Sequence, residues 1–60
     1  MYKIKIVMKN GNVIEEDCGL FESLSITAQW LKNGGVKSIE TFNPQGELVH
    51  AYKNGKIITN

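Results

Sequence analysis

Residues 2–9, YKIKIVMK, run largely as an alternation of polar and apolar side chains, and Asn10-Gly11 follows at once. A period of two sends successive side chains to opposite faces of an extended strand. Asn and Gly tolerate the left-handed backbone of a tight turn. The pair of signals obliges the chain to fold back on itself, so the next run, 12–18, becomes a second strand. Let Lys9-Asn10-Gly11 be a three-residue loop with Gly11 in the left-handed position. Val7 then faces Val13, Ile6 faces Ile14, Lys5 faces Glu15, Ile4 faces Glu16, Lys3 faces Asp17 and Tyr2 faces Cys18. Lysines meet carboxylates on one face, and Ile6 meets Ile14 on the other. A two-residue loop would instead set Ile6 against Glu15 and Ile4 against Asp17, mixing carboxylates into the apolar face. Glu16 shares the face of Ile4 and is expected at the rim, bent toward water.

Lys-Asn-Gly returns at 32–34 and at 53–55. The flanks differ, so the triplet reads as turn chemistry used three times and not as a repeat. At the second site it ends a helix expected over 24–33. Ser23 is the expected N-cap, and Leu24, Ala28 and Leu31, with Thr27, form an apolar stripe at helical spacing. Ile26 and Trp30 flank that stripe. Lys32 suits the C-terminal end of the dipole, and Asn33-Gly34-Gly35 supply the stop. Beyond it come strands at 36–43 and 47–53, joined through Asn43-Pro44-Gln45-Gly46, and a last short strand or tail at 56–59. The expected fold is α+β, a single domain over 1–60. It is a small antiparallel sheet of four strands, or five if the tail pairs, with one helix on one face, in the order ββαββ(β). That order resembles small helix-on-sheet accessory proteins of bacteria and their phages, a likeness of architecture that transfers no site residues.

The C-terminal hairpin raises the functional question. If Pro44-Gln45-Gly46 is also a three-residue loop, Phe42 faces Leu48, Thr41 faces Val49, Glu40 faces His50, Ile39 faces Ala51 and Ser38 faces Tyr52. Ile39, Thr41, Val49 and Ala51 then pack under the helix. The open face carries Phe42, Leu48, His50, Tyr52 and Glu40, a mixture of aromatic and polar groups suited to an interface centre. Glu40 opposite His50 would favour the protonated imidazole and link that interface to pH. The tail 56–59 has edge-strand character, with Lys56 as a guard against uncontrolled pairing; the alternative is that it augments the sheet of a neighbour.

Composition narrows the function classes. All seven basic residues are lysine, six residues are acidic, and the net charge is +1, which gives no general pull toward nucleic acid. One cysteine and one histidine make neither an internal disulfide nor a four-ligand zinc site. Cys18 and His50 fall on different hairpins, so no catalytic pair, cofactor site or metal site is expected, and Cys18 reads as a small buried hydrophobe. No run of residues has the roughly 18 apolar side chains needed to cross a bilayer. The N-terminal alternation is unlike a signal peptide, and with a free thiol it points to the cytoplasm. A short chain has a marginal core, which a second copy would extend. The expectation is therefore a non-catalytic protein-interaction module, most simply a homodimer, or a regulator or inhibitor occupying a larger protein. Single-stranded nucleic-acid binding, with Lys3, Lys5 and Lys9 of the first strand on the backbone and Tyr52, Phe42 and Trp30 stacked on bases, is the alternative.

Overall fold

A computed structural model describes residues 1–53 and 55–59, with Thr59 through its backbone alone. Asn54, the middle of the third Lys-Asn-Gly turn, lies outside the described residues with Asn60. The described residues form β1 (Tyr2–Met8), β2 (Val13–Cys18), α1 (Leu20–Asn33), β3 (Val36–Phe42), β4 (Leu48–Lys53) and β5 (Lys56–Thr59). The strands make one five-stranded sheet in the order β2-β1-β3-β4-β5, antiparallel throughout. The fold is thus α+β with the expected element order, and the tail does pair.

The first hairpin has the register that its loop chemistry predicts, from Val7 opposite Val13 to Tyr2 opposite Cys18. Met8 N donates to Asn12 O at 2.8 Å and Gly11 N to Met8 O at 3.0 Å. The Asn10 side chain accepts from Asn12 N at 3.0 Å. Gly11 sits at φ +95°, where a side chain would clash with its own backbone.

The helix differs from expectation at its start. It begins at Leu20, one turn early, with Gly19 as N-cap. The Glu22 carboxylate accepts from Gly19 N at 3.2 Å, so the acid three residues into the helix satisfies one of the unpaired amides. Ser23 is not the cap. Its hydroxyl donates back to Leu20 O at 2.6 Å, its own polarity is met within the helix, and its small side chain is fully buried against the sheet. The stop is as expected: Gly34, at φ +80°, donates to Trp30 O at 3.0 Å.

The face that α1 turns to the sheet also differs. Ser23, Ile26, Thr27, Trp30 and Leu31 are its buried or half-buried positions, whereas Leu24 and Ala28 are exposed. A small residue at 23 admits the helix closely, and the larger Ile26 and Trp30 then reach the core. That core is Ile4, Ile6, Cys18, Val36 and Ile39, with Tyr2, Met8, Ile14 and Tyr52 packed around it. Each fully buried isoleucine contributes about 1.5–3 kcal/mol.

Two bulges set which side chains face α1. Between β1 and β3 the register slips so that Met8 pairs with Val36 and Lys37 is the extra residue. Val36 is buried and Lys37 stays in water. Between β3 and β4 the extra residue is Val49. Phe42 still pairs with Leu48, as expected, but Thr41 pairs with His50, Glu40 with Ala51, Ile39 with Tyr52 and Ser38 with Lys53. The expected pairs Thr41–Val49, Glu40–His50, Ile39–Ala51 and Ser38–Tyr52 are therefore corrected. The physical reason is Lys53. An unbroken register puts residues 49, 51 and 53 on the helix side of the sheet and sets the Lys53 ammonium on its apolar face. One inserted residue returns Lys53 to the open face and brings Tyr52 in.

Candidate functional site

Pairing across five strands arranges the helix side of the sheet in rows. One row is Ile14–Ile6–Ile39–Tyr52–Ile57, apolar from edge to edge but for one phenol. The next is Glu16–Ile4–Thr41–His50. Glu16, at the β2 edge, is exposed as expected. α1 packs mainly on β1 and β3. Its cover ends there, because a helix with its side chains is about 10 Å across and spans only two strands at about 4.8 Å spacing.

Beyond α1 the row runs into an open groove of about 350 Å³. Leu24, Thr27, Ala28 and Leu31 line it from the helix, and Ile39, His50, Ala51, Tyr52 and Ile57 line it from the sheet. Leu24 is 50% exposed and Ile57 69%. No Asp, Glu or Lys is among the described residues that line it. Its polar point is His50, whose Nε2 is buried without a hydrogen-bond partner among the described residues; the same holds for Oγ1 of Thr41, directly across the strand pair.

The expected interface residues are divided between the two sides of the sheet. Phe42, Leu48 and Glu40 are on the open face; His50 and Tyr52 are on the helix side, brought there by the Val49 bulge. Glu40 does not meet His50. Its carboxylate lies 3.7 Å from Lys53 Nζ, half-exposed, so the expected link from Glu40 to an imidazole charge has no geometric basis. The residues that sequence reasoning missed are Leu24, Ala28 and Ile57. The first two had been expected to face the sheet.

The open face is mainly polar. Its rows read Glu15–Lys5–Glu40–Ala51–Ile58 and Asp17–Lys3–Phe42, followed by Leu48. Lys5 stands between two carboxylates and Lys3 beside one. Of the three aromatics of the alternative reading, Tyr52 and Trp30 pack on the core side, and Phe42 stands on the open face, paired with Lys3.

Cys18 is 2% exposed at the end of β2. Burial, with Glu22, Glu16 and Asp17 behind it, pushes its thiol above the ordinary range, so the nucleophilic thiolate is disfavoured. No group of three or more metal-ligating side chains is present among the described residues, and no described helix is long and apolar enough to cross a membrane. Comparison of the chain with protein-family models, curated proteins and solved structures found no match.

Proposed function

We propose that the chain is a non-catalytic protein-interaction module that self-associates, and that the groove between α1 and β4–β5 is its contact surface. One observation carries the reading: α1 covers half of an apolar sheet face, and the row Ile14–Ile6–Ile39–Tyr52–Ile57 continues past it into water. An antiparallel sheet that ends its folding at this stage normally presents polar side chains there. The surface is apolar at its centre and holds an aromatic, the composition of an interface core. The polar, charge-alternating side of the sheet is the face left to solvent. This moves the interface from the open side of the C-terminal hairpin, where Phe42 and Leu48 remain, to its helix side.

Sedimentation through the micromolar range tests the proposal. The expected result is a reversible dimer that Ile57→Asp converts to a folded monomer. A wild-type chain that stays monomeric across that range overturns it.

A further inference from the structure

Asn and Gly in the three Lys-Asn-Gly triplets are accounted for by the turns they make; the lysine ahead of them is not required by a turn. The topology brings all three triplets to one end of the sheet. The row Val13–Val7–Ser38–Lys53–Lys56 crosses the five strands near that end. Past it lie the β1–β2 loop, the last turn of α1 with the start of β3, and the β4–β5 turn. Lys9 N donates to Gly35 O at 2.9 Å and ties the first of these to the second. Lys37, the bulged residue of β3, lines one depression with Lys9 and Gly55 and another with Lys53. Segments 7–13, 32–38 and 53–56 hold five of the seven lysines and no acid; the rest of the chain holds two lysines and all six acids. The five, Lys9, Lys32, Lys37, Lys53 and Lys56, are all exposed. A near-neutral net charge thus conceals a strongly basic end. We infer that this end binds a nucleic-acid duplex through its phosphates, without reading its sequence.

The basic end is separate from the groove between α1 and β4–β5, and binding by it does not require self-association. Lysine is a point charge that meets a phosphate from any direction, whereas carboxylate partners are best held by the two-pronged guanidinium, and the chain has no arginine. A single strand is gripped by stacking its bases on exposed aromatics; Trp30 and Tyr52, the aromatics nearest this end, pack against the core. An anionic bilayer takes an inserted apolar group as well as charge; past the row of Val7 the large apolar residues, Met8 and Val36, are half-buried and buried. Spacing favours the duplex. The β1–β2 and β4–β5 turns are three strand positions apart, about 14 Å at about 4.8 Å each, and a major groove is about 12 Å wide. Lys9 on one side and Lys53 with Lys56 on the other can therefore reach phosphates across that groove, while Lys37 between them adds positive potential over it. Lys32 offsets the negative end of the α1 dipole. Asp17, Glu22 and Glu47 lie toward the opposite end, so the field of the whole molecule turns the basic end toward a polyanion.

Fluorescence anisotropy with a labelled DNA duplex of mixed sequence, titrated at several salt concentrations, tests this. Binding is expected at low salt and indifferent to sequence, with log K falling against log salt at a slope of roughly −3 for three phosphate contacts. Lys9→Gln and Lys56→Gln should each reduce that slope by about one. Glu40→Gln should tighten binding by releasing Lys53, which the Glu40 carboxylate holds at 3.7 Å, and Lys3→Gln on the open face should change nothing. These substitutions lie outside the buried core, so each variant is expected to keep the circular dichroism of the folded chain. A duplex that does not bind at low salt overturns the proposal. An equal loss from Lys3→Gln removes the assignment to this end. Tighter binding to the matching single strand, to polyglutamate or to phosphatidylserine vesicles than to the duplex overturns the choice of partner.

Discussion

The two halves of the helix-side sheet face share one row of side chains and differ in cover. Ile6 and Ile39 lie under α1 and are 0% and 1% exposed; two strands on, Ile57 is mostly in water. Hydrophobicity at these positions is similar, so the difference is one of geometry: a 14-residue helix packed mainly on β1 and β3 of a five-stranded sheet leaves β5 exposed. Apolar patterning therefore does two jobs in this chain. On β1 and β3 it builds the core, and on β5 it builds a surface that calls for a second layer.

The largest expected effect comes from truncating the same residue type in each half. Ile39→Ala should cost about 2–5 kcal/mol, measured by chemical denaturation at concentrations low enough to hold the chain monomeric. Ile57→Ala should cost less than about 1 kcal/mol under the same conditions, because little area leaves the interior. Equal losses would mean that the two halves are covered alike.

The loops give a second comparison. Gly11, near the covered half, and Gly46, in the β3–β4 loop, have φ of +95° and +85°, and an added Cβ at either would touch nothing within 4 Å. Gly→Ala at each should cost about 1–2 kcal/mol from backbone strain alone. A markedly larger loss at Gly46 would show that its loop also holds the bulged register of β4.

A pH effect belongs to the covered half. Cys18 has its protonated form favoured by folding, so its contribution is complete below the ordinary thiol value of 9.0. It is lost as the pH rises through the raised value in the folded chain. Stability should therefore fall on the alkaline side, and Cys18→Ala should flatten that part of the profile. The smallest effect is expected on the open face. Glu40→Gln removes a half-exposed ion pair with Lys53 and should change stability by less than about 1 kcal/mol.

Much of this architecture was legible from residue order. The first hairpin could be read pair by pair because Asn10-Gly11 and three oppositely charged or apolar matches all require one register. The C-terminal hairpin could be read only as far as Phe42–Leu48. Its loop is built in the same way: Asn43 N donates to Glu47 O and Gly46 N to Asn43 O, each at 2.9 Å. The Val49 bulge lies beyond the reach of loop chemistry. Its signal was Lys53, a charge that an unbroken alternation would set on the apolar face of the sheet, and the same logic explains the Lys37 bulge in β3. Ser23 misled for a related reason. A serine that caps and a serine that packs have the same local sequence, and what separates them here is Glu22, which caps from within the helix. The surplus of apolar side chains was visible in the composition; its location depended on one inserted residue and on where α1 comes to rest.

Methyl NMR of Leu24, Ile57 and Val13 as the chain is diluted through the micromolar range tests the central claim most directly. Leu24 and Ile57 line the groove, and Val13 is exposed on the opposite face of the sheet. The account predicts that the Leu24 and Ile57 signals shift together with concentration while Val13 stays fixed. Signals from Leu24 and Ile57 that do not move, or a shift confined to Val13, would contradict it.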